Sequence, residues 1–300
     1  MNNLKNWLSA FRLRTLPLSL SGIILAAFLA IQNNVFDSAI LILAIFTTLS
    51  LQILSNLAND YGDGVKGTDN EDRIGPKRAI QSGHISPSSM FKAIKINVVI
   101  TIVFAGLLIY AAFGLSYVVY SIIFFVLGGL AIYAAIRYTV GDNAYGYKGL
   151  GDVFVFLFFG LVSIIGSYVL FAKQIDPVVF LPACTIGFLS TAVLNLNNLR
   201  DYESDKKSNK NTLIVKIGVK NGKIYHYFLI IAAIVLSASF GILYYSSPYN
   251  FIYVIAYIPL LIHLKTVYKT KDTKQLDPEL KKVALTTFVL SILLGIGHIL

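Results

Sequence analysis

The sequence predicts an all-α, polytopic membrane protein, and three observations predict it. Only 13% of the 300 residues are charged, about half the roughly 25% of an ordinary soluble domain. Hydrophobic residues make up 56% and the mean hydropathy is +0.70. Apolar stretches near the ~20 residues that a helix needs to cross a bilayer recur along the whole chain. These runs are continuous instead of alternating with period two, which excludes a transmembrane barrel.

Nine spans follow in order. The first, 16–32, comes after a basic arm with Lys5, Arg12 and Arg14. That pattern resembles a secretory signal, but eight further spans make it a retained first helix. Span 38–58 runs into a polar cluster, and 93–113 and 116–136 are joined by a tight turn. Span 153–172 precedes 178–199, which runs into a second polar cluster. Spans 224–245, 250–264 and 283–300 complete the set; 250–264 is short, so it begins earlier or tilts less than its neighbours. The connections 59–92, 137–152, 200–223 and 265–282 are long, and the others are tight turns.

Charge sets the orientation. Of 25 Lys and Arg residues, all but Lys173 lie on the side of the N-terminal arm and the long connections. This positive-inside pattern places the N-terminus and those loops in the cytoplasm, with the C-terminus outside. The formal charge of +10 therefore requires no nucleic-acid partner. Cys184, the only cysteine, lies in an apolar run and supports neither a disulfide nor a cysteine metal site. The chain reads as one domain, 1–300.

The polar clusters carry the chemistry. "NLANDYGD" (56–63) and "NLNNLRDYESD" (195–205) repeat one pattern of amides and acids. If the second span continues as helix, Asn56, Asn59, Asp60 and Asp63 share one face. If the sixth does so, Asn195, Asn198, Asp201 and Asp205 form a second stripe, with Asp201 and Asp205 a repulsive i, i+4 pair that calls for a cation. Oxygen donors without His or Cys suit Mg²⁺, which binds few carboxylates and takes further ligands from substrate phosphates. Two such clusters on one membrane side would hold a diphosphate between them, and the metal would neutralise its charge as it leaves. Basic residues follow each cluster: Lys66, Arg73, Lys77 and Arg78, then Lys206, Lys207 and Lys210. Arg78 and Lys210 sit where a returning loop would aim them at phosphate oxygens; the rest are orientation charges. The loop "RYTVGDNAYGYKGLGD" (137–152) has no preceding strand, so its glycines are not a dinucleotide fingerprint. Tyr138, Tyr145 and Tyr147 form either an interfacial belt or a lid with Lys148 and Asp152 turned inward.

"NDYGDGVKGTD" and "NNLRDYESDKKSNKNTL" together resemble the paired aspartate motifs of the UbiA superfamily of intramembrane prenyltransferases. "RLRTLPLS" (12–19), "NLANDYGDGVKGTDNEDRIGPKRAIQSG" (56–83) and "YTVGDNAYGYKGLGD" (138–152) resemble its 1,4-dihydroxy-2-naphthoate polyprenyltransferase (MenA) branch. In the first motif the position four after Asp63 is Gly67, where the superfamily has a third acid; Asp69 and Asp72 are the alternatives. The resemblance implies a nine-helix bundle around a central cavity, capped on the cytoplasmic side by helical loop segments, in a bacterial-type inner membrane. It implies transfer of a polyprenyl group from its diphosphate to 1,4-dihydroxy-2-naphthoate, with loss of CO₂ and diphosphate, giving demethylmenaquinol. Mg²⁺ would be held by Asn59, Asp63, Asp201 and Asp205, with Asp69 as a further ligand and Asp60 and Asn198 in support. Tyr138, Lys148, Arg78 and Lys210 would contact substrate, and Arg14 would hold the naphthoate carboxylate. Membrane lipid is the implied surrounding, and no obligate protein partner is evident. Within the superfamily the alternative acceptor is 4-hydroxybenzoate. A secondary transporter would place its ionisable groups near the bilayer midplane, whereas these acids gather at span ends. A non-catalytic scaffold gives no reason for two acid clusters.

Overall fold

The computed structural model describes residues 2–69 and 74–300. Among the described residues there is no strand, and nine helical segments are long and apolar enough to cross a membrane. They are α1 Leu4–Gln32, α2 Ser38–Val65, α3 Pro87–Phe113, α4 Val118–Arg137, α5 Gly151–Ala172, α6 Pro177–Arg200, α7 Leu213–Leu243, α8 Pro248–Lys269 and α9 Thr273–Ile299.

Every expected span is present, and the differences lie at the ends. Hydropathy marks only the part of a helix that lipid surrounds, whereas main-chain bonds continue through polar residues. So α2 does not stop at 58 but carries its whole polar cluster in helix to Val65. Likewise α3 starts at Pro87, where the Ser86 hydroxyl accepts from Ser89 N and proline occupies the first turn. The short span at 250–264 becomes Pro248–Lys269, and its first nine residues wind as a 3₁₀-helix. A 3₁₀ segment rises ~2.0 Å per residue against ~1.5 Å in an α-helix, so fewer residues cover the depth. α7 begins at Leu213 and kinks at Gly218 (φ 79°, ψ 162°), a backbone region that glycine enters without a Cβ penalty.

α6 is the hub. It packs on α5, α7 and α9, while α1 packs on α9 and α2 on α3. At the α5–α6 contact, a Cβ on Gly160 would lie 2.6 Å from Gly187 Cα, so main chain meets main chain there. α4 is the most peripheral helix, with 6% of its most apolar stretch buried against 56% for α6. A cavity of about 810 Å³ opens among α1–α6 and α9. Seven helices wall it; α7 and α8 contribute no lining residue among those described and buttress α6 and α9 from behind. Short helical turns at Tyr145–Lys148 and Tyr202–Lys207 lie in the connections whose Tyr145 and Lys210 line its polar end, where Asp277 of α9 lines it too.

Candidate active site

The last turns of α2 build one wall. Helical spacing puts Asn56, Asn59, Asp60 and Asp63 on adjoining faces, and each meets a different neighbour. α1 breaks at Arg12, which adopts φ 50°, ψ 55°. The break turns the Phe11 carbonyl toward α2, where Asn56 Nδ2 donates to it at 2.9 Å. Asn59 lines the cavity; its carbonyl accepts from Arg78 Nη1 at 2.8 Å and its Oδ1 from Thr139 Oγ1 at 3.3 Å. Asp60 is buried and accepts from the main-chain nitrogens of Ala79 (3.0 Å) and Ile80 (3.2 Å). It therefore folds the loop after residue 74 back onto α2 and delivers Arg78.

Asp63 is the meeting point. Its Oδ2 pairs with Arg78 Nη1 at 2.7 Å and Lys210 Nζ at 3.3 Å, and its Oδ1 accepts from Tyr147 OH at 2.7 Å. Lys210 Nζ also lies 4.0 Å from Asp205 Oδ1. One acid from each cluster thus shares one lysine. Asp69 joins through Arg78 Nη1, 3.0 Å from its Oδ2; Asp72 and Arg73 lie outside the described residues.

The second cluster is arranged differently from the expected stripe. α6 ends at Arg200, Asp201 leaves helical geometry (φ −90°, ψ 8°), and Tyr202–Lys207 makes a separate turn. Asn209 at φ 56° then reverses the chain, so that Lys210 returns beside Asp205. Asn198 is buried away from the cavity, and Asn197 lines it instead. The inward stripe of α6 is Ser190, Val193, Leu194, Asn197 and Arg200, whose intervals of three and four define one helical face; Asn195 and Asn198 fall on another. Arg200 holds both Asp201 oxygens (2.8 and 2.7 Å), and its Nη1 reaches Asp277 Oδ1 at 2.5 Å.

In the 138–150 loop the tyrosines turn inward and the lysine does not. Tyr138 lines the cavity. Tyr147, besides its bond to Asp63, contacts Thr68 Oγ1 at 2.6 Å, and Lys66 Nζ stands 4.1 Å above its ring. Burial and the nearby Asp63 hold the Tyr147 phenol well above its ordinary pKa, so it stays a donor. Lys148 is exposed and donates to Asn143 Oδ1, so the expected inward lysine is replaced by Tyr147. Arg14 is exposed at a mouth where the cavity adjoins a second pocket of about 260 Å³. Arg12 and Arg78 line the same boundary.

Among the described residues, Asp205 is the acid whose burial outweighs its cationic neighbours. Burial raises the Asp205 carboxyl to about 7; Lys210 lowers it, and Asp201 and Asp63 add to the rise. Asp205 Oδ2 is buried with no hydrogen-bond partner. Burial also opposes the charges on Arg78 and Lys210, but Asp63 with Asp69, and Asp63 with Asp205, hold them protonated. Among the described residues, no three Asp, Glu, His or Cys side chains converge closely enough to enclose an ion alone. A divalent ion here would need amide, water or substrate oxygens as well, the mixed donor set that Mg²⁺ takes. The residues fit such an ion when a phosphate ligand arrives with it.

The profile of the UbiA prenyltransferase family matches residues 20–293. A 1,4-dihydroxy-2-naphthoate octaprenyltransferase of Escherichia coli K12 is 42% identical over 97% of this chain and 94% of its own length. One of Haemophilus influenzae is 40% identical over 98% and 96%. Among solved structures, an apo UbiA homolog from Aeropyrum pernix K1 superposes with a TM-score of 0.67 at 14% identity, covering 97% of each chain. A UbiA homolog from Archaeoglobus fulgidus bound to GPP and Mg²⁺ gives 0.62 at 15% identity, covering 98% of each.

Proposed function

Because this chain belongs to the UbiA prenyltransferase family, we propose that it transfers a polyprenyl group from polyprenyl diphosphate to 1,4-dihydroxy-2-naphthoate. CO₂ and diphosphate leave, and demethylmenaquinol forms. One observation carries the reading: Lys210 links Asp63 of the first cluster to Asp205 of the second at the polar end of an apolar cavity. A molecule with an anionic head and a long hydrocarbon tail is complementary to that arrangement.

The head would lie against Arg78 and Lys210, whose charge-assisted bonds transfer from Asp63 to phosphate oxygens. Asn59, Asp63 and Asp205 would hold Mg²⁺, with Asp69 and Asp201 flanking them. Bound there, the ion would supply Lewis-acid neutralisation of the leaving diphosphate. Asp60 positions Arg78 through the loop main chain, and Asp201 squares the Arg200 guanidinium toward the cavity. Asn197 and Tyr138 line the path from head to acceptor, and Arg14 at the mouth would orient the naphthoate carboxylate. The prenyl C–O bond breaks and a C–C bond forms at the ring carbon that bears the carboxylate. The electron pair of the departing C–CO₂ bond restores the aromatic ring, so no general base is required. The apolar walls keep water from an allylic cation. The acid-rich loops and the N-terminus would face the cytoplasm of a bacterial-type inner membrane, as the lysine and arginine distribution indicates.

An acceptor panel tests the reading. Protein in detergent, with Mg²⁺ and polyprenyl diphosphate, releases diphosphate and CO₂ in equal amounts when dihydroxynaphthoate is present. Equal turnover of 4-hydroxybenzoate would overturn the acceptor assignment.

A further inference from the structure

Behind the cavity, where α6, α7, α8 and α9 meet, buried polar side chains form a chain that the proposed reaction does not use. Asn195 Oδ1 lies 3.1 Å from His226 Nδ1, and His226 Nε2 lies 2.7 Å from His263 Nε2. His263 Nδ1 lies 2.5 Å from Glu279 Oε2, and Glu279 Oε1 accepts from Lys282. Each of four helices supplies a member, and Asn195, His226 and His263 are wholly buried.

Counting donors fixes the arrangement. The Gly222 carbonyl can only accept, so the Asn195 atom facing it at 3.4 Å is the amide nitrogen, and Oδ1 faces His226. His226 Nδ1 therefore carries a proton. The Nε2–Nε2 contact needs a second and the His263–Glu279 contact a third. The two rings and Glu279 hold these three protons and are together uncharged. Every contact in the chain then pairs a donor with an acceptor, so the network specifies one packing of the four helices.

The chain ends on the Gly222 main chain and neither histidine lines the cavity, so it is not a proton path to the site. Its importance lies in what its two ends hold. Within α9 the α-helical part begins at Asp277; Glu279 anchors the first turn of that part, and Asp277 of the same turn pairs with Arg200 at the end of α6. Asn195 anchors α6 from the rear, five residues before Arg200 grips both oxygens of Asp201. We propose that His263, acting through Glu279, is a positioning residue for the anion site: it fixes the α9 turn that starts at Asp277, so that Asp277 holds Arg200 on Asp201. This rests on the function proposed above.

The test uses the full chain in nanodiscs and measures binding of farnesyl S-thiolodiphosphate with Mg²⁺ by titration calorimetry. The wild type must bind first; if it does not, the proposed function fails and this inference falls with it. Given wild-type binding, His263→Ala and Asp277→Ala should each weaken it about ten- to a hundredfold. The double variant should be no weaker than the worse single one, because both act through the same contact. Unchanged affinity in His263→Ala, or losses that multiply in the double variant, would overturn the proposal. A poorly folded His263→Ala is replaced by His226→Leu/His263→Leu/Glu279→Leu, which removes the two rings and the carboxyl together and is expected to fold. Weakened binding there supports the positioning role, and wild-type affinity there rejects it.

Discussion

Asp63 accepts from Arg78, Lys210 and Tyr147, which arrive from three separate connections. Its charge offsets two buried cations as well as serving the proposed metal. Asp63→Asn keeps the size and removes that charge. Turnover should fall at least a hundredfold, and the ligand-free protein should lose about 3 kcal/mol, because breaking a buried pair strands its partners. Thermal unfolding beside a diphosphate-release assay reads both effects. Tyr147→Phe deletes only the hydroxyl that donates to Asp63, so it should cost about tenfold in kcat/KM and leave the melting temperature within a degree or two of wild type. The sequence made Asp63, Arg78 and Lys210 legible, because a cluster of acids demands cations that a returning loop can supply. It did not distinguish Lys148 from its neighbour Tyr147, since which of two adjacent side chains turns inward depends on the winding of a four-residue turn. Arg200 and Asp277 were also missed. Their link joins two span ends far apart in the chain, and no local pattern marks such a pair.

Spans and their order were legible because lipid imposes both length and apolarity. Departures from α-geometry were not, and two of them shape the site. Residues Phe156–Gly166 of α5 wind as a π-helix, and the cavity-lining residues form two adjacent rows at intervals of four, Phe154, Phe158, Val162, Gly166 and Leu170 beside Val155, Phe159, Ser163 and Ser167. In an α-helix each such step drifts ~40° around the axis; the wider winding drifts the opposite way, so the apolar stripe stays on the cavity. Hydropathy is high all round this span, so no periodicity exposes the change. The end of α6 at Arg200 is the other departure, and it takes Asp201 and Asp205 off the face that Asn195 and Asn198 share. Close helix contacts also escape hydropathy. A Cβ on Gly62 of α2 would lie 2.5 Å from Thr139 Oγ1 and 2.7 Å from its carbonyl carbon. Gly62→Ala should therefore destabilise the protein by about 1–3 kcal/mol. Adding Thr139→Ala should not restore stability, because one close atom is main chain; melting curves of the single and double variants check this.

Among the described residues, seven helices wall the cavity while α7 and α8 support it from behind. This division explains why polar residues cluster where they do. Those at the ends of α2 and α6 converge on the anion site, and the buried histidines of α7 and α8 hold the wall that carries Arg200. The expected central cavity and loop cap both appear; that two spans would stand outside the wall was not visible, because they are as apolar as the rest. The account depends on the polar ends of α2 and α6 meeting in one place. The direct measurement is cross-linking of Asp63→Cys/Asp205→Cys in a Cys184→Ser background, with the shortest bifunctional thiol reagent and a protease site inserted at exposed Asn143. Because both carboxylates lie within 4.0 Å of Lys210 Nζ, the two fragments should remain joined after cleavage and separate only on reduction of a cleavable linker. Fragments that separate without reduction would contradict the account.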